Sequence, residues 1–118
     1  LYGVPAGDIA RGAGVLADIV LRSAAGPEDE APRLLLLSPP GLGRLTAFAP
    51  MFAGAEEKSR QLSEEYKLIA VEYGCSYIDV GAEVSAGNRD GIHLEPEGHR
   101  KIAELVSRTI LDLFATAP

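Results

Sequence analysis

Apolar residues return at helical spacing in three stretches of the chain and run unbroken through a short one. From residue 8 to about 22, Ile9, Ala13, Leu16, Ile19 and Val20 fall on one face and Arg11, Asp18 and Arg22 on the other, which predicts a helix capped by Asp8. A second helix is expected over 51–73, with Ala55, Leu62, Tyr66, Ile69, Ala70 and Tyr73 inward, a surface pair between Glu56 and Arg60, and Gly74 as its stop. A third starts at Pro96 and carries His99, Ile102, Ala103, Val106, Ile110, Leu113 and Phe114 on one stripe.

The unbroken run, 33–38, ends in Pro39-Pro40-Gly41 and reads as a strand buried on both faces, while 75–80 is a second strand candidate. Residues 23–32, with Gly26-Pro27 and three acidic side chains, form a solvated connector, and 81–89 reads as a loop. The order helix, strand, helix, strand, helix demands parallel strands with crossover helices, so the class is α/β. Two parallel strands leave both edges open, and such sheets are ordinarily larger and covered on both faces. The 118 residues are therefore expected to be a portion, 1–118, of one larger domain, an expectation that a first residue of Leu1 in a loop-like stretch also supports.

A formal charge of −6 argues against a nucleic acid or an anionic membrane as partner, since both select basic faces. The run Leu34-Leu35-Leu36-Leu37 is far too short to span a bilayer, and a cytoplasmic setting is the default expectation. Cys75 is the one cysteine, so no internal disulfide and no cysteine-rich metal site can form, and its apolar surroundings suggest an inert core thiol. Gly12-Ala13-Gly14-Val15-Leu16-Ala17 has the spelling of a dinucleotide fingerprint, but it follows no strand and lies inside a helix already begun. Small residues that let a helix pack closely are the better reading of that stretch.

The chemistry concentrates in Asp90-Gly91-Ile92-His93. A glycine between carboxylate and imidazole lets the backbone turn tightly enough for Asp90 to reach Nδ1 of His93, which fixes the tautomer and leaves Nε2 free to take a proton. Ligands of parallel sheets gather beyond the carboxyl ends of the strands, so Ser38, Pro39, Pro40, Leu42 and Ile92 are expected to border a substrate pocket. Leu42, Leu45, Phe48, Met51 and Phe52 suggest an apolar character for it. His99 is expected on the inner face of the last helix in a packing or supporting role.

Asp90-Gly91-Ile92-His93-Leu94, followed by Pro96, Gly98-His99 and Ala103, resembles the last conserved block of the SGNH (GDSL-type) hydrolases, whose catalytic Asp and His precede the C-terminal helix. Asp8-Ile9-Ala10-Arg11-Gly12, the strand closing in Ser38-Pro39-Pro40, and Glu57-Lys58 with Leu62 and Tyr66 look like the aryl-esterase and acyltransferase branch. The resemblance implies a flavodoxin-like three-layer fold of strand order 2-1-3-4-5, with this chain supplying the last two strands and about three helices. It implies His93 as general base and Asp90 as its orienting partner in hydrolysis or acyl transfer on small or aryl esters, without metal or cofactor. None of the seven serines stands in the family's Gly-Asp-Ser setting, so the nucleophile, the oxyanion-hole glycine and the asparagine are expected on an amino-terminal half. The expected partners are then a small-molecule ester and that amino-terminal half, with a homo-oligomer left open, and this chain alone is expected to be inactive. The rival reading is a non-catalytic α/β packing or assembly module in which Asp90 and His93 are only a local hydrogen-bonded pair.

Overall fold

The structure, a computed structural model, describes residues 3–43 and 54–115. A helix α1 (Ala6–Leu21) is followed by a single 3₁₀ turn (Pro27–Asp29) and strand β1 (Leu35–Leu37). Helix α2 (Ala55–Tyr73), strand β2 (Ser76–Ile78), a one-turn helix α3 (Val80–Glu83) and helix α4 (Pro96–Ala115) complete it. Strands β1 and β2 pair in parallel, Leu35 opposite Ser76, Leu36 opposite Tyr77 and Leu37 opposite Ile78. Among the described residues, no segment pairs with the other edge of β1.

The alternation of a strand sends its side chains to opposite faces. Leu35 and Leu37 pack with Ile78, Val80 and Val84 against Leu94, Ile102, Leu105 and Val106, and this is the densest apolar cluster. Leu34 and Leu36 face the other way, where they share an apolar groove with Ala13, Leu16, Ala17 and Val20 of α1. Tyr77 also reaches the α2 side, its hydroxyl donating to the Ser63 carbonyl at 2.6 Å. The result is three layers: α1 and α2, the strands, then α4.

Several expectations change at this level. Helix α1 begins two residues before Asp8, with Pro5 in extended conformation at its cap and Asp8 in its first turn. Its buried face is not the large apolar one: Ala6, Ala10, Gly14 and Ala17 are buried, while Leu16 and Ile19 are exposed. The reason is the closeness of α2, since a Cβ on Gly14 would lie 3.1 Å from the Tyr73 ring and 3.5 Å from Ile69. Small side chains let two helix backbones approach; large ones here would hold them apart.

Strand β1 is shorter than the apolar run and half-buried rather than buried on both faces, because α1 leaves the groove beside Leu36 open. Helix α2 begins at Ala55, so the expected start at Met51 lies outside the described residues. Ile69 and Ala70 are buried along it as expected, but Arg60 pairs with Glu57, at 2.6 Å, and not with Glu56. Both partners are exposed, so solvent screens the pair and it implies no function. The segment expected as loop after β2 contains α3, whose first residue, Val80, is 1% exposed and sits at the centre of the core. On α4 the packed residues are Ile102, Leu105 and Val106, whereas His99, Ala103, Ile110 and Phe114 are exposed. The expected inward, packing role of His99 is thus corrected: His99 is exposed, in the first turn of α4 ahead of the residues that meet the core. Phe114 instead stacks on the Arg33 guanidinium, 5.2 Å from ring centroid to Cζ.

Candidate active site

The chain leaving β1 keeps pairing after the strand proper has ended. The Ser38 amide donates to the Ile78 carbonyl at 3.1 Å, the Gly41 amide to Val84 at 2.9 Å, and the Ala86 amide returns to Gly41 at 2.7 Å. Gly41 and Ser85 form a parallel bridge there. Two residues further on, the Gly43 amide donates to the Gly91 carbonyl at 2.9 Å. This backbone zipper seats the loop before α4 beyond the carboxyl ends of the strands.

Within that loop, Gly91 adopts φ +78°, a left-handed conformation that L side chains rarely take, and the chain turns back on itself. The Asp90 carboxylate fills the turn. Its Oδ1 accepts the amides of Ile92 at 2.8 Å and His93 at 2.9 Å, and its Oδ2 lies 2.5 Å from Nδ1 of His93. Three donors converging on one carboxylate favour its charged form, so the His93 amide first, then the His93 ring and the Ile92 amide, hold Asp90 well below the usual carboxylate range. The loop is closed by Gly87 donating to the His93 carbonyl at 2.9 Å and Gly91 donating to the Gly87 carbonyl at 3.0 Å. Asp90 is mostly covered, whereas the His93 side chain is 82% exposed, with Nε2 at the end of the ring away from the carboxylate. With Nδ1–H committed to Asp90, Nε2 is the position that can accept a proton. Among the described residues, no serine hydroxyl is hydrogen-bonded to that ring.

The other expected pocket residues divide. Ser38 is 2% exposed, and its hydroxyl donates to Asp79 Oδ1 at 3.1 Å and accepts the Gly81 amide at 3.0 Å. Pro39 and Pro40 are half-buried in the turn that follows, and Ile92 is half-buried with its amide on Asp90. Leu42 does line a groove of about 410 Å³, together with Gly41, Ser59, Ser63, Asp79 and Ser85. Hydroxyls and a carboxylate share its walls with Gly41, Leu42 and Ala82, while Leu45, Phe48, Met51 and Phe52, from which an apolar pocket was expected, lie outside the described residues. Ser59 also fixes the rim, its hydroxyl accepting the Leu42 amide at 3.3 Å. The acidic Glu56 and the basic Arg60 border the same groove. Sequence reasoning missed Ser59, Ser63, Asp79 and Ser85, which come together only because α2, α3 and the turn after β1 meet there; their spacing along the chain carries no sign of it. Among the described residues no cluster of three His, Cys, Asp or Glu could hold a metal, and no helix is long and apolar enough to cross a membrane. Burial pushes the Cys75 thiol up from its ordinary value, which disfavours the reactive thiolate.

A parallel α/β layer with a carboxylate–imidazole pair on the loop before its last helix defines the class of protein. Solved structures narrow it. Est24, a carbohydrate acetylesterase from Sinorhizobium meliloti, superposes with a TM-score of 0.86 and 31% identity, over 95% of this chain and 54% of that one. The aryl esterase of M. smegmatis gives 0.84 and 30% over the same shares, 95% and 54%. A carbohydrate acetylesterase family member from Sinorhizobium meliloti gives 0.74 and 34%, covering 92% of this chain and 54% of that one. No protein-family model and no curated sequence matches the chain. The chain belongs with the SGNH (GDSL)-type hydrolases, and it spans about half the length of the solved structures it matches. That half is consistent with the C-terminal part of the fold.

Proposed function

We propose that this chain carries the acid–base pair of a serine-type carboxylic ester hydrolase or acyltransferase. The observation that carries the reading is the 2.5 Å contact between His93 Nδ1 and Asp90 Oδ2, with the rest of the imidazole open to solvent. In this reading His93 Nε2 takes the proton of a serine hydroxyl as its oxygen bonds to the ester carbonyl carbon. The same proton then goes to the alcohol oxygen as its bond to that carbon breaks, leaving an acyl-serine that water, or a second alcohol, releases by the reverse steps. Asp90 holds the ring in the required tautomer and stabilises the transient imidazolium without itself accepting a proton. The nucleophilic serine and the oxyanion-hole donors come from the part of the protein that precedes this chain. The groove bounded by Ser59, Ser63, Asp79 and Ser85 lies along the zipper that seats the loop, and neither Asp90 nor His93 lines it.

The test is a rate series on phenyl acetate and an acetylated monosaccharide. The 118-residue chain alone shows little hydrolysis above free imidazole, because each missing oxyanion donor is worth about 10²–10³ in rate. The uninterrupted protein turns both esters over, and His93→Ala abolishes turnover while leaving the fold intact. An inactive uninterrupted protein, or a His93→Ala variant of undiminished rate, would return the pair to a structural role and favour the packing-module reading.

A further inference from the structure

Gly43 stands where nothing in the reaction scheme requires a residue, yet two independent features converge on it. Its amide donates to the Gly91 carbonyl at 2.9 Å, so it grips the turn between Asp90 and His93 from outside the loop. It also has no room for a side chain: a Cβ there would lie 2.4 Å from the Ala86 carbonyl oxygen and 2.8 Å from that of Gly87. Both obstacles are backbone atoms, which cannot swing aside as a side chain can. Both also belong to the strap whose Gly87 end is tied to the His93 carbonyl at 2.9 Å.

Adding a methyl at 43 therefore leaves two ways to yield. Either the Gly43 amide leaves the Gly91 carbonyl, or residues 86–87 retreat and carry the loop with them. Each displaces the Asp90–His93 pair relative to the sheet while leaving its internal contacts free to re-form. By contrast, at Gly12 on the exposed side of α1 nothing lies within 4 Å of an added Cβ. Local contacts hold the imidazole against its carboxylate; the chain beyond β1, together with Leu94 packed in the core beside His93, sets where that pair sits.

We infer that Gly43 is a positioning residue for His93, seating the acid–base loop on the chain that leaves β1 through its amide on Gly91 and its bare α-carbon against residues 86 and 87. The inference rests on the esterase reading of the pair. In the uninterrupted protein, Gly43→Ala lowers kcat on phenyl acetate by about 10–100-fold while KM stays within about twofold, the pattern of a base displaced on the order of 1 Å. The His93 Nδ1–H proton resonance shifts or broadens, and amide spectra of α1 and α2 stay as they were, which separates displacement from unfolding. Gly12→Ala, the control for a glycine replaced in open space, changes neither kcat nor that resonance. Should Gly43→Ala fail to fold, amide exchange in the unaltered protein decides. Gly43 protected to the same degree as Gly87 and Gly91 supports the brace, and Gly43 exchanging freely while Gly91 stays protected overturns it. A folded Gly43→Ala protein with unchanged kcat and resonance also overturns it. If His93→Ala keeps its rate, the esterase reading itself has failed; if only Gly43→Ala does, that reading stands and the positioning role falls.

Discussion

Removing one oxygen from the middle of the sheet's carboxyl edge distinguishes a structural clamp from a pocket wall. Ser38 is 2% exposed, and its hydroxyl joins three elements: β1, which it ends; Asp79, at 3.1 Å; and the Gly81 amide in α3, at 3.0 Å. Ser38→Ala deletes both bonds. Asp79 Oδ1 keeps the Ala82 amide at 3.2 Å and can be reached by water, so its loss is that of an ordinary bond, about 0.5–1.5 kcal/mol. The Gly81 amide is left without that acceptor, which costs about 1–3 kcal/mol. The two effects share one oxygen and do not add fully, so the expected destabilisation is about 1.5–3 kcal/mol. Urea unfolding of the uninterrupted protein reads this as a midpoint lowered by on the order of 1–2 M at unchanged slope. Phenyl acetate KM, measured well below the new midpoint, stays as it was. A midpoint moved by less than about 0.3 M would refute the clamp, and a raised KM at unchanged stability would restore Ser38 to the pocket.

Other expectations follow from the same coordinates. Asp90→Asn lowers kcat about 10³–10⁴-fold by favouring the wrong tautomer of His93, and a loss under tenfold would mean that the contact does not orient the ring. Because folding depresses the Asp90 pKa, its contribution to stability is complete above the ordinary carboxylate range and fades as pH falls through it toward the lower folded value. The urea-midpoint gap between the unaltered protein and Asp90→Asn is therefore widest above about pH 5 and narrows toward about pH 3; a gap independent of pH would contradict the assigned shift. Val80→Ala, at a 1% exposed position packed between Ile78 and Val84, costs about 1–3 kcal/mol in urea unfolding, and a neutral result would show that the cluster is not the core. Gly12→Ala stabilises by about 0.5–1 kcal/mol, since the helix gains propensity and the new methyl meets open space; destabilisation would place something against that face.

What depends on neighbours a few residues away was legible in the amino-acid order. Three helices announced themselves through a 3.6-residue period, and Gly74 does end α2 in a left-handed cap, its amide on Val71 at 3.2 Å. The contact between Asp90 and His93 belongs here too, because two side chains three residues apart around a glycine need no distant partner to meet. Tertiary structure alone decided which face of each helix is inner. On α1 the hydrophobic period pointed to Leu16 and Ile19, but the approach of Tyr73 and Ile69 selected Gly14 and Ala17, since burial is set by what packs against a helix. On α4 the stripe through His99 and Ile110 had the right spacing, and only its middle meets β2 and Val84. Helix α3 escaped detection because four residues carry no period; it is held by the Asp79 cap and by Val80 in the core. Ser38 finds Asp79 across 41 positions, and Gly43 grips Gly91 across the end of the sheet. Contacts of that separation are chosen by the whole chain closing on itself, so the local pattern could assemble the acid–base pair but not say where it would stand.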